Sequence, residues 1–229
     1  MKFLSYESPF SQILLKLCYS CYLNLLWLIC CIPVVTAGAA TTALYYVTLK
    51  IARDEEGTSL TRMFFRSFRE NFRQATVLWL ILLAVGGFLA GDGYILYHLR
   101  VTSTGTVAIM WTLILALVIA AAVLYTIILI YIFPLVASVS NTNLAMVKNS
   151  FFIGTHYLFC TIVVFAIHFA VFFVVVAFFT PLLIFGEGLC ALLSSYLLSR
   201  VIQACSYDPN QPETADQDSE DAPDGEDGV

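Results

Sequence analysis

The sequence predicts an all-α membrane protein: a bundle of about six transmembrane helices with a cytoplasmic amphipathic helix between the second and third. The first observation behind this prediction is composition, since 60% of the residues are hydrophobic, only 12% are charged, and the mean hydropathy is +0.86. Soluble domains carry about 25% charged residues, and a soluble protein this apolar lacks the polar groups to cover its surface. The other two observations are six long apolar stretches and a one-sided distribution of basic residues between them.

Each of the six stretches reaches or approaches the roughly 20 apolar residues that cross a bilayer. The second is short, and the fourth is long enough to tilt or to project into the cytoplasm, with a kink expected near Pro134. The predicted spans are residues 12–31, 34–51, 75–97, 107–136, 157–179 and 181–202.

The basic residues indicate the orientation of these spans. With the N-terminus inside, the outer loops hold only Arg100. Short cytoplasmic loops of membrane proteins are enriched in lysine and arginine, so both termini are predicted to be cytoplasmic. The inner segments hold the other basic residues: Lys2, Lys16, Lys50, Arg53, Arg62, Arg66, Arg69, Arg73, Lys148 and Arg200.

Charge also divides the chain into a transmembrane domain, residues 1–205, and an acidic tail, residues 206–229. The tail has nine acidic residues and no basic one, whereas the rest of the chain holds 11 basic and 7 acidic residues. Low hydrophobicity and high net charge are typical of disorder, so the tail is predicted to be disordered. Its acidic residues are Asp208, Glu213, Asp216, Asp218, Glu220, Asp221, Asp224, Glu226 and Asp227.

The connection between the second and third spans is predicted to contain the amphipathic helix. Leu60, Phe64, Phe68 and Phe72 repeat every four residues, and arginines fall on the other side. Such a helix lies in the headgroup plane, with its rings in the acyl boundary and its cations toward anionic lipid. The alternative is that the arginine-rich helix docks a partner protein. The arginines are Arg62, Arg66, Arg69 and Arg73.

Three ionisable residues fall inside predicted spans: Asp92, Glu187 and His168. Ionisable groups in a membrane are costly and are candidates for function. The topology places Asp92 and Glu187 in the outer half of the bilayer, where they would line one cavity or simply hydrate near the surface. His168 is interpreted either as part of this polar site or as a neutral histidine bonded to a neighbour.

The segment 33–43 is predicted to break the helix after the first span. Pro33 ends that span, and a run of small residues that includes Gly38 opens the second. Small residues at four-residue spacing let helix backbones approach closely in lipid, which favours a tight helical hairpin. The alternative is a broken helix that lines a substrate path, as in some transporters.

Motifs of enzymes are missing from the sequence. There is no phosphate-binding glycine loop, no GxSxG and no HExxH, so no enzymatic activity, cofactor or metal site is predicted. The seven cysteines show no zinc or disulfide spacing and are interpreted as small apolar residues. Arginines that alternate with phenylalanines at helical spacing fit lipid better than nucleic acid, and no nucleic-acid partner is expected.

Four segments in order resemble the YesL family of bacterial integral membrane proteins over roughly residues 5–205. They are CIPVVTAGAATTALYY from Cys31, FFRSFRENFRQA from Phe64, YIFPL from Tyr131 and SSYLL from Ser194. Gly38-Ala39 stands where that family usually has Gly-Pro. The resemblance implies a bacterial cell membrane and no established activity, so it assigns no functional residue.

The resemblance also implies an association with carbohydrate uptake, because genes of the family tend to lie beside carbohydrate ABC importers. The first functional hypothesis is therefore a non-enzymatic accessory component that binds the importer's membrane subunits. The alternative is a small transporter or channel that uses Asp92 and Glu187. The sequence indicates neither a substrate nor an oligomeric state.

Overall fold

The computed structural model describes residues 9–55, 59–178 and 183–206, and every regular element in these ranges is helical. The predicted acidic tail lies outside the described residues from Tyr207 onward. Seven α-helices are described: α1 Pro9–Cys31, α2 Ala37–Ala52, α3 Leu60–Thr102, α4 Gly105–Ser138, α5 Asn143–His156, α6 Leu158–Phe178 and α7 Leu183–Ser206.

Five of the described helices are long and apolar enough to cross a membrane: α1, α2, α3, α4 and α7. A sixth span is formed if α5 and α6 are taken together, although these two helices meet at 98° around Tyr157. Many large apolar side chains of α3, α4 and α6 are exposed, such as Phe88, Leu117 and Phe159. Exposed apolar surface of this extent is typical of a surface that faces lipid, and the prediction of a helical membrane bundle is confirmed.

α2 forms the centre of the bundle and packs against α1, α3, α4 and α7. A short 3₁₀ turn, Val34–Thr36, separates it from Pro33, which is exposed. Gly38 is buried, and a side chain there would collide with Trp79 and the Ala75 carbonyl of α3. The small residues thus pack helices together, as the hairpin interpretation expects.

α3 differs from the prediction, because no separate amphipathic helix precedes the third span. One helix of 43 residues includes both. Its buried residues Phe64, Ser67, Ala75, Leu78 and Leu82 follow a helical period and share one face. Since that face is buried on both sides of Ala75, from Phe64 to Leu82, the change from charged to apolar composition near Ala75 does not interrupt the helix.

α4 continues as a helix past Pro134, which is buried. Proline cannot donate a backbone hydrogen bond to the preceding turn. One turn later the Ser138 hydroxyl donates to the Pro134 carbonyl at 2.8 Å. α4 ends at Ser138, four residues after the proline, so Pro134 does not break the helix at its own position.

Candidate functional site

Two of the three predicted intramembrane residues, Glu187 and His168, line one cavity of about 160 Å³. α1, α6 and α7 form its walls. The described lining residues are Trp27, His168, Val171, Phe172, Gly186, Glu187 and Cys190. The cavity thus combines two titratable groups with a mainly apolar wall.

The His168 ring is held between two helices. Its Nδ1 lies 2.9 Å from the Val164 carbonyl, and its Nε2 lies 3.4 Å from the hydroxyl of Tyr45 in α2. A carbonyl only accepts hydrogen bonds, so Nδ1 carries a hydrogen. Nε2 therefore accepts from Tyr45 when the ring is neutral and donates when the ring is protonated.

Glu187 lies within electrostatic reach of His168, Tyr45, Cys31 and Cys190. A carboxylate in an apolar bundle is costly unless it holds a proton or has a nearby cation. His168 is the group of this cluster that can become a cation. Glu187 and His168 are accordingly the acidic and the basic side chain of this cavity.

Asp92 is not part of this cavity. It lies in the second half of α3, and α3 packs on α2, α4 and α1, whereas the described lining of the cavity includes no residue of α3. The glycines at 87, 91 and 93 have open space where a side chain would extend. The sequence predicts a similar depth for Asp92 and Glu187, but α3 contributes no residue to the described wall of the cavity that Glu187 lines.

The start of α7 is fixed against α1 beside the cavity. The Gly188 amide donates to the Oδ1 of Asn24 at 2.8 Å, and both residues are buried. A side chain at Gly188 would collide with the Ser20 carbonyl and with Asn24. This contact of two backbones sets the position of the neighbouring Glu187.

Sequence reasoning missed Trp27 and Tyr45, which complete the polar cluster. The Trp27 indole lines the cavity and donates to the Thr41 hydroxyl at 3.0 Å. Aromatic residues are common in membrane spans, so neither residue stands out in the sequence. The signal lies only in the cavity that Trp27 lines and in the contact of Tyr45 with His168.

The four predicted arginines form a second surface, on the first part of α3. At about 100° per residue they fall within an arc of roughly 60°, centred opposite Phe64. Arg66 donates to the Tyr46 hydroxyl at 2.7 Å and approaches Glu70 at 3.8 Å. The other three, Arg62, Arg69 and Arg73, are exposed and form no salt bridge with any described residue.

The phenylalanines of this segment divide between core and surface. Phe64 is fully buried and stacks on the half-buried Phe68 with ring centroids 6.4 Å apart. The expectation that Phe64 faces lipid is therefore wrong, because its face of α3 packs against the protein. Phe72 is exposed, and so is Phe65, which the four-residue repeat did not include.

Among the described residues, no group of three His, Cys, Asp or Glu side chains is placed to hold a metal ion. No curated protein and no solved structure matches the chain. The chain is similar to a family described as a protein of unknown function, DUF624, over residues 21–92. That stretch runs from the middle of α1 into the last third of α3 and includes the small-residue hairpin and the arginine surface.

Proposed function

We propose that the chain is a non-enzymatic accessory component of a carbohydrate ABC-type uptake system in the bacterial cell membrane, and that it belongs to the YesL family. The matched stretch, residues 21–92, contains two of the four segments on which that resemblance rests. In this proposal both termini are cytoplasmic, in keeping with the basic residues of the inner segments.

The arginine surface of α3 is the observation that carries the proposal. One face of the helix is buried in the bundle, while the opposite face presents guanidinium groups beside the exposed Phe65 and Phe72. Arginine and aromatic residues are enriched at protein interfaces. Such a surface suits docking to the membrane subunits of an importer better than it suits catalysis.

The test is purification of a tagged chain from its own cells in mild detergent, followed by identification of importer membrane subunits in the eluate. A matched variant replaces Arg62, Arg66, Arg69 and Arg73 with lysine. Lysine keeps the charge but cannot form the planar bidentate contacts of arginine, so docking predicts loss of the importer. Equal recovery with both versions, or absence of importer subunits from the wild-type eluate, would contradict the proposal.

The cavity at Glu187 favours a second candidate, a small transporter or channel. Its volume of about 160 Å³ lies below the roughly 300–1,000 Å³ of common small-molecule sites. A solute carried there would be a proton, a small ion or a few waters rather than an oligosaccharide. Transport by this route would depend on Glu187 and His168 and not on Asp92.

A further inference from the structure

We propose that the acidic cluster Asp216–Asp221 of the chain's own tail docks on the arginine surface of α3. This surface is defined by Arg62, Arg66, Arg69 and Arg73. The tail and an importer subunit would compete for this surface, and the inference about the tail does not rest on the importer. It rests on the place where the described chain ends, on the length of the segment that follows, and on matching charge.

The C-terminal part of α7 and the start of α3 lie at the same end of the bundle. Lys16 of α1 pairs with Asp54, just after α2, at 2.6 Å and also donates to the Tyr196 hydroxyl of α7 at 3.2 Å. In the next turns of α1, the Tyr22 hydroxyl lies 2.7 Å from the hydroxyl of Thr61, the second residue of α3. The tail therefore leaves α7 at the end of the bundle where the arginines are found, next to α5, whose Asn149 and His156 line one cavity with Cys205.

The tail is long enough to reach them. Asp216 is the tenth residue after Ser206, where the described chain ends, and an extended chain of ten residues spans up to about 33 Å. Neighbouring helix axes are about 8–10 Å apart. The linker can thus cross the width of two or three helices.

The two charged segments also match in length. The arginines extend over about 16 Å of helix, at 1.5 Å per residue. Asp216, Asp218, Glu220 and Asp221 extend over about 17 Å when the chain is extended, at roughly 3.3 Å per residue. Asp216, Asp218 and Glu220 share one face of an extended chain. Three carboxylates can therefore face the three arginines without a described salt bridge, and tethering supplies an effective concentration in the millimolar range.

Zero-length cross-linking tests the contact. The full chain carries Arg69→Lys, which keeps the charge and adds an amine that carbodiimide joins to a touching carboxylate. It is placed one copy per nanodisc in phosphatidylcholine, so that the contact is intramolecular, and the products are mapped by mass spectrometry. We expect a cross-link from position 69 to the cluster Asp216–Asp221. Its absence would overturn the proposal.

Two charge variants, with four acids removed from each, separate a matched contact from general attraction. Neutralising Asp216, Asp218, Glu220 and Asp221 to amides should lower the yield of cross-links from position 69 to the tail about fivefold or more, because the amides neither pair with arginine nor react with carbodiimide. Neutralising the flanking acids should lower this yield of cross-links less than about twofold, because the ion pairs between the cluster and the arginines remain. The flanking acids are Asp208, Asp224, Glu226 and Asp227.

Anionic lipid and the exposed Lys148 of α5 supply the remaining controls. A cross-link that persists when the discs contain phosphatidylglycerol supports docking of the tail. Its loss there would assign the arginines to lipid headgroups and overturn the proposal. The proposal would also be overturned if the two charge variants lowered the yield from position 69 equally. A yield of cross-links from Lys148 to the cluster as high as that from position 69 would overturn it as well.

Discussion

The ammonium group of Lys16 lies 2.6 Å from the carboxylate of Asp54 and joins α1 to the turn that ends α2. Asp54 has a φ of 57°, in the left-handed region that usually takes glycine. The Glu55 and Asp54 amides donate back to the carbonyls of Lys50 and Ile51 at 2.9 and 3.3 Å. This is a Schellman motif with aspartate in the glycine position.

Substitutions at Asp54 should separate the backbone effect from the ion pair. Asp54→Ala removes the ion pair and also places alanine in the left-handed region. The backbone effect alone should lower the free energy of unfolding by about 1–2 kcal/mol, and loss of the pair adds to it. Asp54→Gly loses only the pair, which is exposed at the Asp54 side and worth about 0.2–1 kcal/mol. Thermal unfolding in detergent measures both, with Lys16→Met as the control for the pair. A glycine variant less stable than the alanine variant would contradict this account.

Gly188 should tolerate no side chain. Gly188→Ala places a methyl group against the Ser20 carbonyl and Asn24, and such overpacking costs about 1–3 kcal/mol. The matched change Gly91→Ala meets open space and should stabilise α3 by about 0.5–1 kcal/mol, since glycine weakens a helix interior. Unfolding of both variants in the same detergent gives the comparison. A neutral Gly188→Ala would show that α1 and α7 are not in contact there.

Glu187 decides between the two candidate functions. If the chain is an accessory component, Glu187→Gln should leave growth on the carbohydrate and recovery of the importer unchanged, because the amide keeps the shape of the side chain. Asp92→Asn serves as the control outside the cavity. Growth lost with Glu187→Gln but not with Asp92→Asn, while the importer is still recovered, would favour transport through the cavity.

Reporter fusions test the orientation. Six spans with both termini inside predict that a reporter after Arg100 reads outside and that reporters after Asn143 and Ser206 read inside. A reporter after Ser206 that reads outside would mean that the chain crosses the membrane an odd number of times. In that case the pair α5 and α6 would not cross the membrane as a single span.

The sequence was sufficient to predict the order and approximate bounds of the spans, because each needs a long apolar stretch. It was insufficient at α3, where composition changes near Ala75 but the buried face continues from Phe64 to Leu82. The helical spacing of these buried residues is visible in the sequence. The change in charge near Ala75 nevertheless favoured the prediction of two separate helices. Helical hydrogen bonds depend on backbone continuity rather than on the polarity of side chains.

The candidate site was predicted only in part, for a geometric reason. Composition identified Glu187 and His168 singly, and topology indicated their depth. The angle at which a residue faces within a bundle depends on the order of helices around it, which a single sequence does not contain. For that reason Asp92 was paired with Glu187, although the described cavity wall comes from α1, α6 and α7.

The bend of 98° between α5 and α6 has a mechanical consequence. If α6 alone crosses the bilayer, this bend places α5 close to the membrane plane at the base of the span. The Tyr131 hydroxyl lies 3.0 Å from that of Thr161, which donates to the Gly154 carbonyl at 2.8 Å, so this corner is braced against α4. A thicker or thinner bilayer is then accommodated by tilting of α6 about the corner rather than by sliding along its axis.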